Sequence, residues 1–136
     1  MTATAFPFTK IIVGDLAAAE RFYTTVLGLS VAARFAQGEQ DDRMEETFLS
    51  VAGAPQGGSQ LAILCYPNKP RPAAGEAITG FVVKNVDAVI EAALGAGGML
   101  VKEAYDIAEH GVRVAVIGDI EGHLVELLQF PAAPGD

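Results

Sequence analysis

Cysteine is almost absent. One residue among 136 rules out an intramolecular disulfide. Cys65 falls in the apolar run Leu61–Cys65 and reads as a buried structural thiol. Positive charge is scarce as well. Nine Lys and Arg stand against 17 Asp and Glu, a net charge of −8. A nucleic-acid binder needs a basic stripe for phosphates, and none is visible. The same balance disfavours anionic membrane surfaces. No apolar run approaches the ~20 residues that span a bilayer. The opening MTATAFPF has no basic region followed by an apolar one, so no secretory signal is read and the expected location is cytoplasmic. Ser-His-Asp order, a glycine-rich phosphate loop and a Cys-Cys pair are all missing. Only two histidines occur, His110 before Gly111 and His123 in a turn, and both read as loop residues.

What remains is apolar. Hydrophobic residues make up 51% and charged residues 19% of the chain, the balance of a compact folded protein. The most telling stretch is Gly111–Phe130. Val112–Ile117 is rich in β-branched residues, which suit a pleated strand. Asp119-Ile120-Glu121-Gly122 is a turn signal. Leu124, Val125, Leu127 and Leu128 then surround Glu126. Alternation places Leu124, Glu126 and Leu128 on one face and Val125 and Leu127 on the other. A carboxylate in such a strand is costly unless it is paired, binds a metal, or faces a wet cavity. Glu126 therefore marks an expected cavity.

The chain uses one grammar twice. Phe8–Val13 reads as a strand. Asp15 caps a helix with Leu16, Ala19, Phe22, Tyr23, Val26 and Leu27 at helical spacing. Strands follow at Leu29–Phe35, Thr47–Val51 and Leu61–Tyr66, with Gln37–Glu46 as an exposed polar loop. Prolines in the segment 67–77 forbid a continuous strand or helix there, and mark a linker. Then Gly80–Lys84 reads as a strand, and Asn85 or Asp87 starts a helix that Gly97-Gly98 stops. Met99–Val101 and two final strands complete the second half. The expectation is an α+β protein in which residues 1–136 form one domain, with modules 7–66 and 78–130. Their two sheets are expected to cup a cavity, each carrying a helix outside.

The segment Val13–Val31, VGDLAAAERFYTTVLGLSV, resembles the opening of the vicinal-oxygen-chelate superfamily, which includes glyoxalase I, bleomycin-resistance proteins and extradiol dioxygenases. The closing Gly118–Gln129, GDIEGHLVELLQ, is similar to that family's terminal hairpin, with Ile120 and His123 replacing its usual Pro and Asn. The resemblance implies paired βαβββ modules, a cupped mixed sheet and commonly a homodimer. In metal-dependent members four His, Gln or Glu donors converge from four strands. Carried onto this chain, those positions are Phe8, Ile63, Phe81 and Glu126. Three are hydrocarbon, and carbon cannot ligate a metal. The resemblance thus implies a member with no metal and no other cofactor, binding a small, largely apolar organic molecule.

Residue by residue, Phe8, Ile12, Ile63 and Phe81 are expected to line the cavity. Glu126 is read as general base or ligand anchor. Lys10 shares the face of Phe8 and Ile12. It reads as a catalytic amine, as a lysine whose amine snorkels to solvent, or as the partner of Glu126. Arg113 is a rim residue able to clamp a carboxylate or phosphate. Function is then sequestration of the ligand or acid–base chemistry on Glu126. The alternatives are a metal-dependent lyase or isomerase of the lactoylglutathione lyase type, and a scaffold with a filled core.

Overall fold

A computed structural model describes residues 2–132; Met1 and residues 133–136, the extremes of the expected domain, lie outside them. In chain order the elements are β1 (Phe8–Ile12), α1 (Leu16–Val26), β2 (Ser30–Gln37), β3 (Met44–Ser50) and β4 (Gln60–Cys65). They continue with β5 (Ile78–Val82), α2 (Val86–Gly95), β6 (Met99–Ile107), β7 (Val112–Gly118) and β8 (Leu124–Gln129). The chain divides into two compact units that meet at residues 73 and 74. Each unit is a βαβββ module with its own four-stranded mixed sheet. The strand orders are β1-β4-β3-β2 and β5-β8-β7-β6. In each, the first strand runs parallel to the last and the other pairings are antiparallel.

In the first unit, the Asp15 carboxylate accepts a hydrogen bond from the Ala18 amide at 3.0 Å and so caps α1. Ala19, Phe22, Tyr23 and Val26 form its buried face. Gly28 follows the helix with φ +65, a left-handed turn that glycine adopts without a Cβ clash. Ile11, Val13, Leu49, Ile63 and the buried Thr47 meet the helix from the sheet. Thr47 identifies that face, because its hydroxyl donates to Glu20 of α1 at 2.9 Å. The second unit repeats the scheme. Asn85 caps α2 through the Ala88 amide at 3.0 Å. Val125, Leu127, Ala115 and Ile117 are fully buried beneath that helix.

Several boundaries differ from the sequence reading: β2 runs past Phe35 to Gln37, β5 is Ile78–Val82 and not Gly80–Lys84, and β3 and β6 differ more. Glu45 and Glu46 belong to β3, not to an exposed loop. β6 continues to Ile107 instead of stopping at Val101. β6 is an edge strand, largely exposed and with register shifts at Leu100/Lys102 and Lys102/Tyr105, so no clean alternation betrays it.

Arg34 on β2 holds Glu20 with two guanidinium hydrogen bonds. That contact is the main reason the Glu20 carboxyl lies below its ordinary range, against the upward push of burial; Thr47 adds to the lowering. A carboxyl lowered on folding stabilises the fold above its unfolded value, and the gain is lost as pH falls through the folded value. Glu20→Gln should therefore flatten the acid side of the stability profile. Thermal midpoints measured from about pH 6 down to about pH 3 check this, with the variant losing less than the parent.

Candidate functional site

Cross-strand partners share a sheet face, so register assigns each candidate to a side. In the second unit Glu126 pairs with Gly80 on β5 and Val116 on β7. Leu127 beside it is fully buried under α2. Glu126 therefore points away from the helix, as alternation requires. Its carboxylate opens into a cleft of ≈ 420 Å³ lined by Tyr105, Ile107, His110, Val112, Val114, Leu128 and Phe130. Glu126 is half-buried, and its side chain makes no hydrogen bond or ion pair with any described residue. Val112 and Val114 are buried around it, while Tyr105 and Phe130 remain exposed at the mouth. Water at the open side limits the desolvation cost that a sealed pocket would impose.

The first unit solves the same problem differently. Lys10 on β1 lies 2.7 Å from Oε2 of Glu46 on β3. The Glu46 side chain is only 6% exposed, against 35% for Lys10. That oxygen has no partner of good hydrogen-bond geometry, so the contact is a charge pair rather than an aligned hydrogen bond. The ammonium also sits 5.3 Å from the Phe8 ring centre and 5.9 Å from that of Phe48. Phe48 in turn meets Phe8 and Phe35 edge to face, at 5.4 and 5.7 Å. Lys10 is thus held by Glu46 and two rings. It shares the helix-free face with Phe8 and Ile12, as alternation requires.

Three expectations need correction. Ile63 pairs with Ile11 and Thr47, and Thr47 bonds to α1, so Ile63 lies under the helix and not beside Phe8. Phe81 pairs with the buried Leu127 and lies on the helix side of its sheet; Gly80 is the residue beside Glu126. Arg113 is not a free clamp. It binds Asp87 of α2 at 3.0 and 3.1 Å and Asp106 of β6 at 3.2 Å, on the face opposite the cleft. Asp87 is lowered chiefly by Arg113, consistent with a committed pair. His123 lies in the turn, as expected, and its Nδ1 is 3.0 Å from the buried Asp119.

Sequence reasoning missed Glu46 and Phe48, and read His110 only as a loop residue. The alternation Met44, Glu46, Phe48, Ser50 was the available signal for the first pair. Pairing Ile107 with Val112 across the turn would have put Tyr105 opposite Val114.

The cross-strand neighbours of Glu126 in its own sheet do not supply the donor set of a divalent-metal centre. Glu126 has Gly80 and Val116 as cross-strand neighbours, and neither side chain offers a donor. Among the described residues no group of three or more His, Cys, Asp or Glu side chains is placed to hold a metal ion. A larger hollow of ≈ 500 Å³ lies between α1 and β2–β3. Its Glu20, Arg34 and Thr47 already satisfy one another, which leaves less for a ligand to use.

Two βαβββ units with a helix on one sheet face define a glyoxalase-type fold, and comparison with known structures agrees. A glyoxalase family protein from Bacillus cereus is 21% identical, with TM-score 0.78 and 95% of each chain covered. A glyoxalase-related enzyme from Fulvimarina pelagi is 20% identical, with TM-score 0.68, over 97% of this chain and 94% of that one. A glyoxalase I mutant from Zea mays is 18% identical, with TM-score 0.74, over 90% of this chain but 46% of its own length. At these identities the likeness shows the fold alone. No curated protein sequence matches. The sequence profile of the Glyoxalase/Bleomycin resistance protein/Dioxygenase superfamily matches residues 5–127, and the chain belongs to that superfamily.

The Lys10–Glu46 contact gives a direct test. Lys10→Met leaves a buried carboxylate alone and should cost about 2 kcal/mol, below the full range for buried pairs because Lys10 is partly solvated. Lys10→Met with Glu46→Leu should cost less than Lys10→Met by itself. Urea unfolding of the three proteins measures both.

Proposed function

We propose that this protein binds a small, largely apolar organic molecule in the cleft of its second unit, with Glu126 as the polar group that orients it. The observation that carries this reading is the half-buried Glu126 carboxylate, without a partner among the described residues, at the wall of an otherwise mainly apolar cleft. Pockets of this kind, hydrophobic with a few placed polar groups, are the usual form of small-molecule sites. Glu126 can serve either outcome. It holds a ligand by a charge-assisted hydrogen bond, which is sequestration, or it takes a proton from one within reach, which is acid–base chemistry. Lys10, engaged by Glu46, is assigned to holding its own sheet face.

The reading as a metal-dependent enzyme of the lactoylglutathione lyase type lacks the donors such a centre needs. We further propose that the two modules act as one domain within a homodimer. The exposed Ile78 (58%) and Val82 (67%) on the edge strand β5 support association, since apolar edge residues favour burial against a partner. Among the described residues no helix is long and apolar enough to cross a membrane. The single cysteine is compatible with a cytoplasmic setting.

Val114→Phe tests the cleft. The added volume should lower affinity for a naphthalene-sized probe at least tenfold while the protein stays folded. For the parent, probe at a hundred times its dissociation constant should stabilise the fold by about 2.7 kcal/mol. Thermal shifts read both. Equal shifts in parent and variant would place binding elsewhere, and no shift with any apolar probe would reject a binding role.

A further inference from the structure

Resting on that reading of the cleft, we propose that the ligand is an organic cation: an ammonium or amidinium group seated against Glu126, with an aromatic or aliphatic body on the apolar wall.

The two units carry the argument together, each in its own sheet. In the first, a carboxylate on the helix-free face receives a cation from the chain itself. Lys10 reaches Glu46 at 2.7 Å and lies over the rings of Phe8 and Phe48. In the second, the corresponding face holds a carboxylate and aromatic side chains, Tyr105 and Phe130, but Glu126 receives no cation from any described residue. Register explains the difference. Phe8 pairs with Gln60, and Ile78 pairs with Leu124. Two residues along each strand, Lys10 therefore stands where the second unit has Gly80. Gly80 is the cross-strand neighbour of Glu126. A Cβ built on Gly80 would meet nothing within 4 Å. The position from which a lysine would neutralise Glu126 is thus an open gap beside the carboxylate.

Other charges near the cleft are few. Lys102 on β6 shares the face, two strands from Glu126, and its ammonium stacks on the Tyr105 ring at 4.7 Å. It makes no ion pair with Glu126. Its contact shows that the Tyr105 ring accepts a cation. His110 is the other titratable group of the lining besides Tyr105. The net charge of −8 adds a general attraction for cations and a penalty for anions.

Three isosteric probes separate charge from shape: 1-naphthylmethylamine, protonated at pH 7, neutral 1-naphthalenemethanol, and anionic 1-naphthoic acid. Calorimetric titration of the full chain should find the amine bound about tenfold or more tighter than the alcohol, as a charged hydrogen bond with ring contacts provides. The acid should bind more weakly than the alcohol. Glu126→Gln should bring the amine-to-alcohol affinity ratio close to one. Gly80→Lys should do the same by supplying an internal ammonium, and it carries the test if Glu126→Gln fails to fold. An alcohol that binds the parent as well as the amine overturns the cation claim and leaves the apolar cleft standing. So does a ratio that survives both substitutions. Failure of all three probes to bind rejects the cleft itself as a ligand site.

Discussion

The row Gly80–Glu126–Val116 is the constraint on which the proposed binding site depends. A strand shows its side chains alternately to two faces, and one residue of slip would exchange them. Burial of Val125 and Leu127 beneath α2 fixes the register of β8. Each such side chain is worth about 1.5–3 kcal/mol when removed from water, so a slip would forfeit several at once. Glu126 is thereby held off the helix side and toward the cleft, whatever its own preference for solvent. Its exposure at the cleft is a consequence of core packing on the other side of the same strand.

The two units share an architecture and differ in electrostatics. The first closes its charge internally through Lys10 and Glu46, and shields the pair with Phe8 and Phe48. The second leaves Glu126 without an internal counterion among the described residues, next to a glycine. Arg113 cannot supply the missing charge, since it is bound to Asp87 and Asp106 on the helix side. Superfamily membership accounts for the repeated βαβββ modules. It does not account for which face carries charge, because that is decided by a few residues at fixed register positions.

Much of the fold was legible in the sequence. Caps at Asp15 and Asn85, apolar helical spacing, and the alternation around Glu126 are local signals, and local signals survive without coordinates. What was not legible came from pairing between strands. Ile63 and Phe81 are each one position off the face assigned to them, an error that register alone corrects: β4 is buried on both faces, so hydrophobicity does not mark one of them, and β5 is an edge strand whose apolar Ile78 and Val82 stay exposed. Glu46 looked like loop because its neighbours are polar, yet Lys10, far away in sequence, makes its burial tolerable. β6 was truncated because an exposed edge strand has no inner face to pattern. Arg113 looked available because Asp87 lies on α2, 26 residues away in the chain, and Asp106 lies on the part of β6 that the sequence does not mark as strand.

Methyl-resolved NMR during titration with 1-naphthylmethylamine examines the central claim most directly. The largest shift changes should fall at Ile107, Val112, Val114 and Leu128, which line the cleft with Glu126. Val125 and Leu127, on the other face of the same strand, should change little. Changes concentrated at Val125 and Leu127, or a saturating titration that leaves the four cleft residues unmoved, would contradict it.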